Sequence, residues 1–290
     1  MTLVDLLLAP AVPDAEDGLR LLSSAAGFVL DLDGTLVLPD KRAGNYNLLA
    51  GAVEVLARLR AKGMPLVALT NNTLHTPADC AALLRATGIA LDGDEILTPS
   101  SVAAEYFQRR RLHRVLVIGG EGVWRPLADA GLTVVLTDAP EIAVDAVYVG
   151  YHPGFDLTDL EAGCRACWGG AKLFVSSGVP YFATQGGRAI GISRAIAAAI
   201  TNMTGRPSTV LGKPSPHALA CAGRRLGVAA ESLVVIGDDP RLEAIMARNG
   251  GAIAIGVETG IGRRADFAAL PPHHRPHLVL RHIGELLSRI

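Results

Sequence analysis

Short apolar runs recur along the chain, and each gives way to a polar or glycine-bearing stretch. Ala26–Leu30, Pro65–Leu69, Val115–Ile118, Thr133–Leu136, Ala146–Val149, Leu173–Val175, Thr209–Leu211, Leu233–Ile236, Ala252–Val257 and His277–Leu280 read as strands. Several are continuous Val/Ile/Leu runs rather than alternations, as expected of strands covered on both faces. Helical spacing fills most of the gaps. Over 48–59 the apolar positions Leu49, Val53, Leu56 and Leu59 fall near one face, and Lys62-Gly63 supplies a stop. Further helices are expected over 78–86, Leu157–Trp168 and Ile283–Ile290. Strands that alternate with helices predict an α/β fold with a doubly wound parallel sheet. No internal repeat or low-complexity segment interrupts the pattern.

Composition narrows the function classes. The chain has 290 residues, enough for one large or two modest domains. Half the residues are hydrophobic and mean hydropathy is +0.33, so a full core is expected. Lys+Arg 27 balance Asp+Glu 28 with no basic block, which argues against a nucleic-acid partner. No apolar run approaches the roughly 20 residues of a membrane helix, so no membrane association is expected. The first 18 residues hold a short apolar patch without a positive start, and they carry Asp5, Asp14, Glu16 and Asp17. That is not the pattern of a signal peptide. Four cysteines make no disulfide framework, and a reducing cytoplasm fits.

Ligands of open parallel sheets bind beyond the carboxyl ends of the strands. Asp31 and Asp33 follow the first strand, and Thr70-Asn71-Asn72-Thr73 follow the second. Gly212-Lys213-Pro214 stand after Thr209–Leu211, and Gly237-Asp238-Asp239 after Leu233–Ile236. On one rim, these groups suit phosphoryl transfer. A carboxylate can attack phosphorus. Two anions repel, so a hard cation such as Mg²⁺ is needed between them, and it takes oxygen ligands. A lysine offers a point charge, and a hydroxyl with backbone N–H groups can cradle phosphate oxygens. A second aspartate can give a proton to the leaving oxygen and then activate water.

With these motifs in this order, the chain resembles the haloacid dehalogenase superfamily of phosphohydrolases. The matching stretches are Asp31-Leu-Asp33-Gly-Thr35, Thr70-Asn71-Asn72, Gly212-Lys213-Pro214-Ser-Pro216 and Gly237-Asp238. Their spacing is most similar to the NagD-like, p-nitrophenylphosphatase-like branch, and the likeness covers nearly all of 25–290. The resemblance implies a Rossmann-like core over 25–112 and 204–290, and an inserted α/β cap domain over 113–203. Residues 1–24 would be an extension. It implies Asp31 as nucleophile and Mg²⁺ ligand, and Asp33 as general acid/base with its backbone carbonyl on the metal. Thr70 and Asn71 would bind the phosphoryl group, Lys213 would steady it, and Asp238 would complete the metal site. The activity implied is Mg²⁺-dependent hydrolysis of a small phosphorylated metabolite through an aspartyl-phosphate. Transfer to another acceptor, or a non-catalytic binding protein on the same fold, remains the alternative. A homo-oligomer through the cap is compatible with this reading.

Two departures from the family pattern stand out. The fourth motif carries Glu243 where an aspartate is usual, and Asp239 is a second candidate for a supporting role. The Asn-x-Asp that often follows the cap strand is absent, and Ser177-Gly178-Val179 stand there. Tyr181, Gln185 and Arg188 in the cap offer an aromatic face, an amide and a cation for substrate choice. Cys164-Arg-Ala-Cys167 lies within a helical pattern without a partner pair, so a core role is expected. The histidines at 273, 274, 277 and 282 read as a polar loop and the elements after it. His75 reads as a surface residue, and Gly119-Gly120-Glu121-Gly122 lack full dinucleotide-loop spacing.

Overall fold

The computed structural model describes residues 22–40, 45–139, 143–184 and 187–290. In chain order its strands are β1 (Gly27–Leu30), β2 (Val37–Asp40), β3 (Asn45–Leu48), β4 (Leu66–Leu69), β5 (Ile96–Leu97), β6 (Arg114–Ile118), β7 (Thr133–Val135) and β8 (Ala146–Val149). There follow β9 (Lys172–Val175), β10 (Tyr181–Thr184), β11 (Gly187–Ile190), β12 (Ser208–Val210), β13 (Leu233–Gly237), β14 (Ile253–Val257) and β15 (Leu278–Leu280). The chain divides into two compact units. The first holds the described residues up to Ala68, with Ala86–Ile89 and Ala222–Ile290. The second holds Leu69–Arg85 and Ala90–Cys221.

In the first unit the strand order is β15-β14-β13-β1-β4, and the pairings are parallel. The chain leaves β1 for β4 on one side and later returns on the other side with β13. The carboxyl end of β1 is therefore a topological switch point, where open α/β sheets bind ligands. β1, β13 and β14 are buried along their whole length, which explains their near-continuous apolar sequence. Leu30 and Ile236 face each other in register and are fully buried. Truncating either to Ala would cost about 2–5 kcal/mol. The helix Ala52–Ala61 buries Ala52, Val55, Leu56 and Leu59. It starts later than the pattern suggested, because Asn45–Leu48 pairs with Val37–Asp40 as an antiparallel hairpin.

The second unit is built on a parallel sheet of order β12-β9-β8-β6-β7. The helices Leu157–Trp168 and Ile192–Thr204 cover it, packing Ala162, Cys167, Ile196 and Ile200 with Ile118, Val149 and Val175. Asp156 caps the first of these helices by accepting from Asp159 N–H at 3.1 Å. The strand before Lys213 belongs to this sheet: Ser208–Val210 pairs with Lys172–Val175. Lys213 therefore follows a strand of this sheet, whereas Asp31, Thr70 and Asp238 follow β1, β4 and β13 of the other. Three exposed or partly exposed residues in β12 reflect an edge position rather than a central one. The expected helix over Ile283–Ile290 is a run of tighter 3₁₀ turns, Ile283–Ser288.

Candidate active site

In the first unit the ladder between β1 and β13 continues one step past Leu30, because Asp31 N–H donates to Ile236 O at 2.9 Å. Asp31 and Asp238 therefore emerge from adjacent strand ends. Both are buried, and so is Glu243. One carboxylate oxygen from each of these three side chains lies within 4.8 Å of the others. Among the described residues no other group of His, Cys, Asp or Glu forms such a cluster. Asp33 is half-buried and its carboxylate stands outside the trio. The turn after it is tight: Thr35, Leu36 and Val37 N–H groups all point to Leu32 O. Gly34 takes φ +93°, and a Cβ there would meet Asp238 Oδ2 at 2.4 Å. Only glycine combines that backbone with that approach.

The longer Glu243 fits because of the backbone on either side of it. Asp239 caps the next turn, accepting from Arg241 N–H at 2.8 Å, and Pro240 sits at its first position. Pro240–Ala244 then winds as a wide π turn. Glu243 folds back so that Oε2 accepts from Asp239 N–H at 3.2 Å. Its Cγ would lie 2.1 Å from a Cβ on Gly237, so the extra methylene passes over bare backbone. Asp239, the other supporting candidate, acts as the cap and lies 3.6 Å from Arg241 Nε.

A stretch the sequence reading left unassigned completes this region. Ile261 N–H donates to Asp238 Oδ2 at 2.7 Å, and Thr259 Oγ1 donates to Gly34 O at 2.5 Å. Gly260 packs so closely that a Cβ would sit 1.8 Å from Asp238 Oδ2. The signal was available: Thr259-Gly260-Ile261-Gly262 follows a buried strand, as the recognised motifs do.

The second unit holds the remaining candidates. Thr70 and Lys213 are buried. Thr70 N–H donates to Leu97 O at 3.1 Å, and Thr70 Oγ1 accepts from Asn72 N–H at 3.0 Å. Asn71 meets Lys213 twice: Nδ2 donates to Lys213 O at 3.0 Å, and Oδ1 accepts from Lys213 N–H at 2.8 Å. Thr73 Oγ1 accepts from Tyr151 N–H at 3.1 Å, tying this loop to the end of β8. Tyr181 is half-buried in β10. Gln185 lies outside the described residues, and Arg188 lies in β11 with its side chain outside them.

Two family descriptions match. Residues 28–133 fit the haloacid dehalogenase-like hydrolase model, and residues 210–286 fit a second one, HAD-hydrolase-like. The chain belongs to the haloacid dehalogenase-like hydrolases. Among its relatives, this hydrolase is 29% identical to sugar-phosphatase AraL of Bacillus subtilis, over 87% of this chain and 89% of that one. It is 28% identical to chronophin of Rattus norvegicus, over 92% and 88% respectively. It is 26% identical to ribonucleotide monophosphatase NagD of Escherichia coli, over 89% and 96%. Its fold matches the solved NagD with a TM-score of 0.78 at 23% identity, covering 90% of this chain and 98% of that one. It matches 4-nitrophenylphosphatase of Thermotoga maritima with a TM-score of 0.81 at 25% identity, covering 92% and 98%. These likenesses set the hydrolase in the NagD-like branch.

The other sequence candidates have plain structural roles. Cys80, Cys164, Cys167 and Cys221 are buried thiols rather than disulfides, and Cys221 Sγ donates to Glu105 Oε2 at 2.9 Å. Burial pushes the Cys164 thiol up and the Cys167 thiol up to about 11, the opposite of an activated thiolate. Gly122 is a packing glycine: a Cβ there would meet Thr73 O at 2.5 Å and His75 N at 2.8 Å. His274 Nε2 pairs with Asn249 Oδ1 at 2.9 Å, and His277 lies against the Arg248 guanidinium. No helix among the described residues is long and apolar enough to cross a membrane.

Proposed function

We propose that the chain hydrolyses a small-molecule phosphate monoester, with Mg²⁺, through an aspartyl-phosphate on Asp31. The observation that carries this reading is the buried trio in a haloacid dehalogenase-like hydrolase, with Asp31 and Asp238 at adjacent parallel strand ends and Glu243 on the π turn that follows. The donor set fits the metal. Three carboxylates offer only hard oxygen ligands, and burying them together is costly unless a cation shares the site. Asp31, Asp238 and Glu243 would hold it, with the Asp33 backbone carbonyl. When bound, Mg²⁺ supplies positive charge that lets an anionic carboxylate approach an anionic phosphate.

The residues then divide the work. An Asp31 carboxylate oxygen attacks phosphorus, and the bond from phosphorus to the ester oxygen breaks. Asp33 gives its proton to that departing oxygen. The resulting Asp33 carboxylate takes a proton from water, whose oxygen attacks phosphorus. The bond to Asp31 breaks, and inorganic phosphate leaves. Thr70 and the Asn71 backbone bind phosphoryl oxygens, and Lys213 carries the balancing charge. These groups meet only the part that all phosphate esters share. Selectivity therefore falls to contacts with the leaving group, which we assign to the 113–203 cap and to Tyr181, Gln185 and Arg188. The named activities of AraL and NagD, on sugar phosphates and ribonucleotide monophosphates, support a phosphorylated metabolite as substrate.

The test is a screen of phosphate esters with purified protein, native and Asp31→Asn. Native protein should release inorganic phosphate with Mg²⁺ and none in chelator. The variant should fold but lose turnover by at least about 10³-fold, since an amide cannot serve as the nucleophile. Normal turnover by Asp31→Asn would remove Asp31 from the mechanism. Loss of ester without free phosphate would point to a transferase.

A further inference from the structure

We infer that the Asn71 side chain is a positioning residue, which seats the backbone of Lys213 instead of gripping phosphate itself. The inference rests on the phosphatase reading for its kinetic consequence, but on geometry for its substance. Past the end of β12, Leu211 N–H still donates to Val175 O at 3.0 Å and Gly212 N–H to Ser176 O at 3.0 Å. At Lys213 the partner becomes a side chain. Asn71 both accepts from Lys213 N–H, at 2.8 Å, and donates to Lys213 O, at 3.0 Å. Facing residues in a narrow antiparallel pair exchange the same two bonds. Here one primary amide does so.

Few side chains can fill this position. The bond pair needs a donor and an acceptor a fixed distance apart on a short stem. Asp offers acceptors only, Ser a single oxygen, and Leu nothing. Position 212 is adapted to the same contact: a Cβ on Gly212 would lie 2.6 Å from Asn71 Oδ1 and 2.3 Å from Ser176 O. Lysine gains most from such a seat. Its four-carbon stem carries about 2 kcal/mol of rotamer entropy, so a fixed root limits where the ammonium can go. Lys213 itself is only 2% exposed. A displacement of about 1 Å at a group that stabilises the reacting phosphate costs on the order of 10²-fold in rate.

The experiment is a double-mutant cycle of Asn71→Ala and Lys213→Ala, combined with hydrogen exchange. Phosphate release from p-nitrophenyl phosphate gives kcat/KM. Calorimetric binding of inorganic phosphate runs the same cycle without turnover. Asn71→Ala should lower kcat/KM by about 10²-fold. The double variant should lie within about 3-fold of Lys213→Ala in both measurements, because Asn71 has nothing left to act on. The Lys213 amide should exchange at least about 10-fold faster in Asn71→Ala, while amides of Arg114–Ile118 keep their native rates. A further loss of about 10²-fold in the double variant would show that Asn71 meets phosphate independently, and would overturn the inference. Unchanged exchange at Lys213 would overturn it as well. If the native protein hydrolyses no ester, the phosphatase reading fails alone, and exchange still decides the Asn71–Lys213 contact.

Discussion

Gly260→Ala is a sharp probe of the carboxylate trio. Gly260 has no positive φ, so the alanine meets no backbone penalty and acts through space alone. Its Cβ would stand 1.8 Å from Asp238 Oδ2, whereas ordinary contact begins at 3.4 Å. The carboxylate must retreat by about 1.6 Å, the difference between those distances. It cannot do so and keep the 2.7 Å bond from Ile261 N–H. Losing a partner that orients a metal-ligating carboxylate costs about 10- to 100-fold in metal affinity. Calorimetric titration with Mg²⁺ should therefore show a dissociation constant raised by that factor. Gly120→Ala, placed where a Cβ meets nothing within 4 Å, should leave it at the native value. Equal Mg²⁺ affinity in native and Gly260→Ala protein, both folded, would refute the assignment of Asp238 to the metal.

Two further outcomes are expected. Burial and the neighbouring Arg248 guanidinium hold His277 below its ordinary value near 6.5. The unfolded chain therefore takes up a proton first, and stability present above pH 6.5 is lost as pH falls toward the folded value. The urea midpoint should drop between pH 7.5 and 5.5, and His277→Gln should flatten that dependence; an unchanged slope would exclude His277 as its source. Substituting Tyr181, Gln185 or Arg188 should change the ratio of kcat/KM between two chemically different esters, whereas Lys213→Ala should depress both alike. A ratio that stays fixed in all three cap variants and moves only with Lys213 would reverse the proposed division of labour.

The parts of the fold readable in the sequence were those governed by local apolar pattern. Strands buried along their length, such as Leu233–Gly237 and Ile253–Val257, stand out as continuous runs. The two hairpins did not stand out. Asn45–Leu48 pairs with Val37–Asp40, yet its last residue, Leu48, reads as the start of the helical run over 48–59. Tyr181–Thr184 and Gly187–Ile190 are too short and mixed to show a period. Sheet membership was also hidden. Thr209 and Val210 look like any core strand, and nothing local says that they pair with Phe174 and Val175 instead of with β1. The chemistry was easier to see than its geometry. Asp31 and Asp238 follow obvious strands. That Glu243 joins them depends on a π turn and on the missing Cβ of Gly237, neither of which has a periodic signature.

The edge strand Ser208–Val210 limits how this enzyme can be taken apart. Segment 113–203, the cap we propose, would be the natural cassette to exchange for one from a relative, although the compact unit that contains it spans Leu69–Arg85 and Ala90–Cys221. Yet the seat of Lys213 is made from both sides of that cut. Gly212 leans on Ser176 inside the cassette, and Lys213 leans on Asn71 well before it. A graft ending at 203 would ask the recipient's edge strand to dock on a foreign β9. Swaps that carry the donor's own 204–213 along, matched to its own counterpart of Asn71, keep the lysine's anchorage in one piece. For this scaffold, the practical unit of exchange is the sheet rather than the insertion.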